Sequence, residues 1–587
     1  MKKKITFLIT FVLLLTFIHS DIAGQDTGNT TVQKDSLRKS RTTELPQIQM
    51  QEYTIVGLAK VTLPHKIRKK IQRDVKIAWI PNRQIYEKEP PAISFQFSRI
   101  KPSVLQLYEF PWLNTRLHYG SFNTGGINLN TQFKANNTLP YLNADYQQSD
   151  GHVTNAQWAF AGLQAGLHQK LTDNHLLHLA TDYHFQKRGI WGNYELYQQD
   201  WETSTVLWKF FGSLEDKWHP IFRTELAASY YLDDHENAFK YRDRGYDITG
   251  TARLRVKNTE IEGALDYRAI DLSLSDGNLV RLPVDSTSLD KFSATLLSGH
   301  LYARQKINLV NIKAGVLYQQ SEEDISPVIG NKIKEDFIYP DLSLLLGFSG
   351  KGKIFVRYRP AIETYRFRSS IQILPFTDLE AIRLVNYTSR IEGGLDVSPS
   401  SRFDLNLTVR SSAVENYPAV IYPADSLKAE FNNGGYPGWI MGTLNEVQIQ
   451  ELYGKIDWEI VTGLRFRGWG NYRNSDIRNS GNLEVDVIGK EIPYFPRIES
   501  SGELVWSFYN EHKASVSGQY TDKRYDDFSN TTVLPAYFLL NARLDLKIKR
   551  NLTFFIMGNN LLDKQYEVFK GFIAPGISGF FGIQFKL

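Results

Sequence analysis

The sequence lacks cysteine and carries very little net charge. With no cysteine among its 587 residues, it excludes disulfide bonds, thiolate metal sites and a cysteine nucleophile. There are 68 Lys and Arg residues and 63 Asp and Glu residues. The resulting balance of +5 gives no electrostatic support for nucleic-acid binding. Aromatic residues reach 13% and charged residues only 22%, a composition that excludes low-hydrophobicity disorder and favours β-strands.

The N-terminus has the pattern of an export signal. Three lysines at positions 2–4 precede an apolar run, Ile5–Ile18, that is short for a membrane-spanning helix. A small residue, Gly24, follows at a suitable distance for cleavage. We therefore expect residues 1–24 to be a cleaved signal peptide. No later segment holds 18 consecutive apolar residues, so the mature chain offers no membrane-spanning helix.

The rest of the chain divides into three parts. Residues 25–51 are rich in Thr, Ser and Gln, which predicts a flexible polar tail. Residues 52–113 are mixed and include a basic stretch, Lys66–Arg73, which we interpret as the solvated face of a short periplasmic segment. From residue 114 to the C-terminus, apolar and polar residues alternate strictly in segments of roughly ten.

This alternation predicts strands with one apolar and one charged face, because successive strand side chains point to opposite sides. In the clearest hairpin, Leu254 and Val256 alternate with arginines before a turn near residues 258–259. Two further hairpins have the same pattern, with turns near residues 461–462 and 549–551.

Strand length and connection length separate a membrane barrel from a soluble sandwich. Many segments run to 10–14 residues, against about five or six in a typical strand. Short turns alternate with long connections, a pattern typical of outer-membrane barrels. The longest predicted connections lie near residues 188–201, 273–289, 321–336, 362–384, 413–445, 474–496 and 560–575. We therefore predict an all-β fold: a transmembrane antiparallel β-barrel of about 22 strands over residues 114–587, with a periplasmic N-terminal extension.

A family resemblance becomes visible in residues 560–587. The connection before the last strand carries Asn560, Leu561, Leu562, Asp563, Lys564 and Tyr566, and that strand places Phe581, Ile583, Phe585 and Leu587 on one face. This pattern resembles the C-terminal end of TonB-dependent receptors of the Gram-negative outer membrane. The resemblance implies that the four last-strand residues form the signal read by the barrel-assembly machinery.

A second stretch is similar to the energy-coupling box of the same family. It comprises Glu52, Tyr53, Thr54, Ile55, Val56 and Gly57. In the family such a box pairs with TonB as an added strand. The alternative interpretation is an ordinary short periplasmic strand.

The chain departs from the family in one respect. The family places a long plug domain between box and barrel, and residues 58–114 are too few for it and lack its Gly-containing motifs. A lumen of this size is normally plugged. We therefore expect the outer loops, residues 52–100 or a separate chain to occlude it.

The sequence contains none of the common catalytic or metal-binding motifs. It has no nucleophile elbow, P-loop, His-Glu-x-x-His or EF-hand pattern, so we expect no enzyme activity, cofactor or metal site. The acidic cluster Asp233–Glu236 is expected at the start of an outer loop. His178, Asp182 and His184 share a strand face and are expected to point into the lumen, where one metal ion could not bind both histidines.

A candidate ligand loop spans residues 413–445. Its aromatic residues are Tyr417, Tyr422, Tyr436 and Trp439. Aromatic rings suit stacking on a sugar, a peptide or a chelate. The alternative is a loop that packs on its neighbours or over the lumen.

The sequence thus predicts a barrel in the outer membrane that takes up or passes a solute. Its expected partners are outer-membrane lipid and lipopolysaccharide, the barrel-assembly machinery, and either TonB or a separate plug or partner subunit. Two alternatives stay open: a passive porin-like channel, and a non-transporting scaffold or surface-binding subunit of an envelope complex.

Overall fold

The computed structural model describes most of the chain from Leu113 onward. The described residues are 113–133, 135–151, 156–189, 202–219, 221–236, 240–274, 291–325, 332–348, 351–364, 377–379, 384–421, 439–479, 487–509, 511–570 and 572–587. Contacts divide the chain into two units, Met1–Thr43 and Glu44–Leu587, and every described residue belongs to the second. The predicted signal peptide, the polar tail and residues 52–112 lie outside the described residues. In the part that is described, no helix is long and apolar enough to cross a membrane.

Twenty-two strands form the barrel wall. They are β1 Leu113–Gly120, β2 Thr124–Gln132, β3 Thr138–Ser149, β4 Trp158–Lys170, β5 His175–Gly189, β6 Glu202–His219, β7 Phe222–Glu236, β8 Lys240–Val256, β9 Thr259–Leu274, β10 Lys291–Ile307, β11 Val310–Ile325, β12 Lys332–Phe348, β13 Gly352–Tyr358, β14 Val385–Ser400, β15 Phe403–Ile421, β16 Trp439–Val461, β17 Leu464–Asn479, β18 Ile498–Phe508, β19 His512–Thr521, β20 Tyr537–Lys549, β21 Leu552–Asn559 and β22 Ser578–Lys586.

Each wall strand pairs antiparallel with the next, and the sheet closes on itself. β1 pairs with β22 in a register that sets Leu117 opposite Ile583. The amide of Leu587 donates to the carbonyl oxygen of Leu113 at 2.8 Å. Closure leaves no free strand edge, which is what allows a sheet to lie in lipid. The prediction of a closed antiparallel barrel of about 22 strands is confirmed.

Short β-segments accompany the wall. Ala361–Glu363 continues β13 along β14, and Thr377–Leu379 runs parallel to the start of β16. Two small two-stranded sheets lie in long connections: Arg524–Tyr525 with Val533–Leu534, and Glu567–Phe569 with Phe572–Ile573.

Side chains alternate between the outer and inner faces of the wall as the sequence predicts. Leu265 and Leu301 are 65% and 63% exposed, whereas Glu262 and Tyr302, facing the interior, are each 7% exposed. Apolar groups therefore lie outside and many polar groups inside, the reverse of a soluble protein. This distribution fits a wall surrounded by lipid.

Two rows of outward-facing aromatic residues mark the height of the lipid-facing band. On β6, Trp208 and Trp218 are ten residues apart (218 − 208 = 10), and both are exposed. At about 3.3 Å per residue and a strand tilt of about 40°, this separation spans about 25 Å, the height of an outer-membrane apolar band. The row at the short-turn end includes Trp218, Trp458 and Trp506, and the other row includes Trp208, Tyr230, Tyr246 and Tyr472.

Beyond the second aromatic row the outer face becomes charged. Arg242 bonds Asp234 at 2.6 Å, and Arg244 bonds Asp271 at 2.7 Å, with the arginine side chains about half exposed. Both pairs lie near those ends of β7, β8 and β9 that are at the long-loop end of the barrel. The strands therefore continue past the lipid-facing band into water.

Turns at one end of the barrel are short and most connections at the other end are long. The turn at Thr462–Gly463 requires its glycine, since Gly463 has φ +87° and the Ser507 carbonyl oxygen lies 2.7 Å from the position of a Cβ. The connections differ from the predicted ones in several places. Residues 413–421 and 439–445 belong to β15 and β16, so the connection predicted over 413–445 covers only 422–438. Residues 522–536 form a further long connection, and 237–239 a very short one at the long-loop end.

The last strand provides a test of the wall orientation. Ile583 is 43% exposed on the outer face, and Phe585 lies on the same face nearer the short-turn end. Replacing Ile583 with Asp places a charge on the lipid face, at a cost of about 2 kcal/mol at depth and less near the interface. We expect little heat-modifiable folded protein in outer membranes for I583D and a milder loss for F585D. The control K586Q, at an inward-facing residue of the same strand, should fold normally; a fully folded I583D would contradict this orientation.

Candidate functional site

The interior of the barrel is apolar at its long-loop end. Buried side chains there form one cluster, which we name the mouth cluster. Its members are Leu272, Phe292, Ala294, Leu296, Tyr339, Ile362, Leu384, Val385, Tyr387, Val414, Tyr417, Ala419, Leu444, Val447, Ile449, Ile477, Val487, Ile492, Phe495 and Phe528. They come from inward-facing wall positions between β9 and β17 and from three connections. Apolar groups on the inner face at this end hold the connections inside the barrel by excluding water.

The connection between β13 and β14 folds back against β11. The backbone amide of Ile362 donates to Gln319 Oε1 at 2.6 Å, and Gln319 Nε2 donates to the Ile362 carbonyl oxygen at 3.1 Å. The amide of Leu384 donates to Glu323 Oε2 at 3.2 Å. Because Gln319 and Glu323 point inward from β11, these bonds hold both ends of the described part of the connection inside the lumen.

The connection between β17 and β18 is held in the same way. The amide of Ile492 donates to Ser475 Oγ at 3.1 Å, and the amide of Ile477 donates to the Lys490 carbonyl oxygen at 3.0 Å. The ring of Phe495 lies 4.4 Å from the guanidinium carbon of Arg473, a cation–π contact. Ile492 is thereby buried, whereas Ile488 in the same segment is 62% exposed.

Three long connections are bound to one another. Glu491 and Asn530 exchange two hydrogen bonds, at 2.8 and 3.0 Å, which join the β17–β18 and β19–β20 connections. Arg524 donates to the Val568 carbonyl oxygen at 2.7 Å, and Lys570 pairs with Asp526 at 3.3 Å, which adds the β21–β22 connection. The hydroxyl of Tyr494 also donates to Asp526, which is 1% exposed. The connections therefore form a single bonded unit.

A turn within this unit depends on one carboxylate. Asp527 accepts hydrogen bonds from the amides of Thr531 and Thr532 at 3.0 and 2.6 Å. Burial alone would raise the pKa of Asp527, but these bonds outweigh it and keep its pKa below the ordinary value. The stabilisation is therefore complete above the ordinary carboxyl pKa and is lost only as the pH falls through the lowered one.

Buried ion pairs lie next to the mouth cluster. Arg390 pairs with Glu363 at 3.0 Å, Arg410 with Glu451 at 3.2 Å, and Arg473 with Glu499 at 2.6 Å. A recess opens between these pairs and the cluster. It is lined by Tyr387, Arg390, Arg410, Ser412, Tyr417, Ile449, Glu451 and Phe495. Removing one partner of such a pair leaves an uncompensated buried charge, which lowers the free energy of unfolding by about 3–5 kcal/mol.

The four aromatic residues of the predicted ligand loop are not all in a loop. Tyr417 lies in β15 opposite Leu444 and is 5% exposed within the mouth cluster. Trp439 is the first residue of β16. Tyr422 and Tyr436 lie outside the described residues. The structure thus places Tyr417 with the residues that fill the mouth, on the inner side of the wall.

The two polar clusters singled out from sequence are parts of strands. Asp233–Glu236 ends β7 instead of opening a loop; His235 is 3% exposed and its Nδ1 lies 2.9 Å from Thr205 Oγ1. His178 points inward and stacks on His168 with ring centroids 4.1 Å apart. Over the described ranges, no three His, Cys, Asp or Glu side chains are grouped to hold a metal ion.

The Asn-Leu-Leu-Asp-Lys motif shapes the β21–β22 connection. Asn560 is 1% exposed and has a left-handed backbone, with φ +46°. Its Nδ2 donates to the carbonyl oxygens of Lys564 and Pro575 at 2.9 and 3.0 Å, and its Oδ1 accepts from the Lys564 amide at 2.9 Å. Asp563 Oδ1 accepts the Ile577 amide at 2.9 Å. The two polar motif residues thus satisfy the backbone of the connection.

The remaining motif and signal residues lie at the surface or beside the wall. Leu561 and Leu562 are 37% and 56% exposed, and the Tyr566 ring lies 4.2 Å from that of Tyr537. Phe581 and Ile583 are exposed on the outer face of the last strand, as expected from their alternation, and Leu587, which follows the strand, is also exposed. Their role as an assembly signal stays a prediction. The box-like residues Glu52–Gly57 lie outside the described residues.

Comparison with known proteins identifies the architecture. No family model matches the sequence. Among solved structures, the siderophore receptor PiuA from Acinetobacter baumannii matches with a TM-score of 0.62 and 13% identity over 82% of each chain. The FrpB iron transporter from Neisseria meningitidis (F5-1 variant) matches with a TM-score of 0.65 and 10% identity, covering 82% of this chain and 83% of that one. The ferric yersiniabactin uptake receptor FyuA from Yersinia pestis gives 0.60 and 11%, with 81% and 80% covered.

The barrel has the TonB-dependent receptor fold. The fold resemblance recognised at the C-terminus is therefore confirmed over four-fifths of the chain. At these identities the likeness shows the fold alone, so the functional residues of this barrel must be inferred from its own interior.

The residues that hold the connections inside the barrel could not be recognised from the sequence. Gln319 and Glu323 look like ordinary lumen-facing polar residues, and nothing nearby in sequence marks Ile362 or Leu384 as their partners. A signal was present in β10, where Phe292, Ala294 and Leu296 are inward-facing yet apolar. Apolar residues at the inward positions of one end of a strand, here alternating with the outward Ser293 and Thr295, indicate an interior that is filled at that end.

The motif asparagine can be tested directly. Aspartate, like asparagine, tolerates a left-handed backbone conformation. Asn560→Asp nevertheless removes the two donated hydrogen bonds and places a carboxylate next to two carbonyl oxygens. We expect a loss of about 1–3 kcal/mol, seen as a lower temperature for heat modification on gels. Asn137→Asp, at an exposed turn residue, is the control. Equal melting of the two variants would contradict the structural role of Asn560.

Proposed function

We propose that this chain is an outer-membrane barrel of the TonB-dependent receptor type that takes up or passes a solute and has no recognisable plug. The observation that carries the proposal is the mouth cluster. A closed 22-strand wall surrounds a lumen, and the outer end of that lumen is packed with apolar side chains and inward-folded connections. A wall that only anchored a surface protein would need no such closure.

The proposal assigns closure to the barrel's own connections. In plug-containing barrels a separate domain blocks the lumen. Here the lumen would be blocked by the bonded unit formed by the β17–β18, β19–β20 and β21–β22 connections. Asp526 and Arg524 make bonds that join these connections to one another. Opening would then require these connections to leave the mouth cluster.

Energy coupling and location are further parts of the proposal. Leu113 begins β1 at the short-turn end, so the chain before it enters the barrel from the side that faces the periplasm in proteins of this fold. This supports pairing of Glu52–Gly57 with TonB as an added strand. We also propose a cleaved signal peptide over residues 1–24, insertion by the barrel-assembly machinery, and contact of the wall with lipopolysaccharide.

The two alternative functions make different demands on the barrel mouth. A passive porin-like channel needs an open mouth, which the buried cluster opposes. A non-transporting scaffold or surface-binding subunit is compatible with a permanently closed mouth. The proposal and the scaffold alternative therefore differ in whether the mouth can open.

Single-channel conductance in planar bilayers tests the proposed closure. Ile492→Asp introduces a charge at a residue that is 3% exposed in the mouth cluster, whereas Ile488→Asp changes a residue that is 62% exposed in the same segment. We expect the full-length protein and I488D to be silent, and I492D to conduct in large steps because burying an unpaired carboxylate is costly. Each protein is also measured without residues 25–100.

The outcomes separate the candidate functions. Large steps in the unmodified protein would overturn closure by the connections and favour the porin-like channel. Conductance of I492D only after removal of residues 25–100 would show that this segment adds a second barrier. Silence of I492D in both forms, with normal folding, would contradict the proposal and favour the scaffold.

A further inference from the structure

Inward-facing cations gather at the short-turn end of the lumen beside the closure of β1 on β22. Arg116 lies on β1, Lys513 on β19, Arg543 and Lys547 on β20, and Lys586 on β22. We name these five residues the seam cations. Lys513 shares the inner face of β19 with Ser517, which is 9% exposed, and Lys586 shares that of β22 with Gln584, which is 8% exposed.

Two of the seam cations are already neutralised. Arg543 forms a fork on Asp545, with Nε and Nη2 at 3.0 and 2.6 Å from Oδ1. Lys547 pairs with Glu511. Arg116 and Arg543 also approach the buried Phe555 ring, at 5.8 and 4.4 Å from its centroid. These contacts fix the positions of the arginines and use both nearby carboxylates.

Lys513 and Lys586 have no such partner. Lys513 is in register with Asp545, but the Asp545 carboxylate is engaged by Arg543. Lys586 is in register with the uncharged Asn114. Among the described residues, neither ammonium group lies within ion-pair distance of a carboxylate. Lys586 instead experiences the repulsion of Lys513, Arg116 and Lys547, against a smaller attraction by Asp545.

The local charge balance is strongly positive. With Arg116 left aside, four seam cations face Asp545 and Glu511, so the excess is 4 − 2 = +2. The next carboxylate along the wall, Glu503, is matched by Arg467 in register. Like charges gathered at partly buried positions cost free energy that an anion between them would recover.

We propose that the seam cations form a binding site for a small solute carrying two or more carboxylate or phosphate groups, held chiefly by Lys513 and Lys586. The inference deepens the proposed function by naming an anionic substrate class, and it rests on that function only in taking the lumen as the solute's path. Each of the two unpaired ammonium groups can pair with one anionic group of the same molecule, whereas a solute with a single carboxylate can pair with only one of them. The position at the periplasmic end fits the exit of the lumen.

The test is isothermal titration calorimetry on the full-length protein in detergent, with citrate and pyrophosphate as probes and acetate as the single-charge comparison. At about 20 mM salt we expect saturable binding of citrate or pyrophosphate, weaker binding of acetate, and a steep loss at about 200 mM salt. K513Q/K586Q should weaken binding about tenfold or more, because it removes the two unpaired charges.

Two further variants keep the test decisive. K353Q removes an inward lysine near the same end that Asp396 already neutralises at 2.8 Å, and it should bind as the unmodified protein does. K513R/K586R keeps both charges and should bind within a few-fold, which separates charge from misfolding. Absent or salt-insensitive binding by the unmodified protein, or equal binding by K513Q/K586Q, would overturn the inference. Conductance is not a readout here, so failure of this site leaves the proposed function to its own test.

Discussion

Backbone hydrogen bonding in lipid is the constraint on which the rest of this structure depends. A strand in hydrocarbon cannot leave an N–H or C=O group unpaired, so the sheet must close, and β1 must meet β22. Closure of 22 strands produces a wide lumen. Because side chains alternate along each strand, apolar residues face the lipid and the residues between them face the lumen. The arrangement of the interior follows from this, since a wide lumen across a membrane has to be filled, gated or lined for selective passage.

The interior is layered along the barrel axis. Apolar side chains and inward-folded connections occupy the long-loop end, buried arginine–glutamate pairs lie next to them, and the seam cations lie at the short-turn end beside the pairing of β1 with β22. The wall extends past the upper aromatic row, so the mouth cluster is supported by hydrogen-bonded strands standing clear of the lipid-facing band. A solute moving through this barrel would therefore meet a barrier to polar molecules first and an attractive field for anions last.

Much of the wall could be predicted from sequence because lipid imposes a period of two. The hairpins around Lys257–Asn258 and Thr462–Gly463 were placed to within a residue, since outward apolar residues alternate with charged ones right up to each turn. Prediction failed where the strands leave the lipid. Residues 413–421 carry Pro418 and polar side chains and look like a loop, yet they pair with β16 through Ile440 and Leu444. The mouth itself could not be predicted, because its bonds join residues far apart in sequence, as with Gln319 and Ile362.

The hydrogen bond between Gln584 and Asn114 joins residues 470 positions apart. Those two side chains lie on the strands whose pairing completes the wall, so this contact, like the backbone bonds between Leu113 and Leu587, belongs to the pairing that removes the last open edges. Bringing such distant segments together carries a large loop-closure entropy, and pairings of this kind form slowly. A chain whose last strand has not yet paired with the first therefore exposes two strand edges with unpaired backbone N–H and C=O groups. Folding must wait for the C-terminus, and until then the apolar outer face needs shielding from water and from other chains.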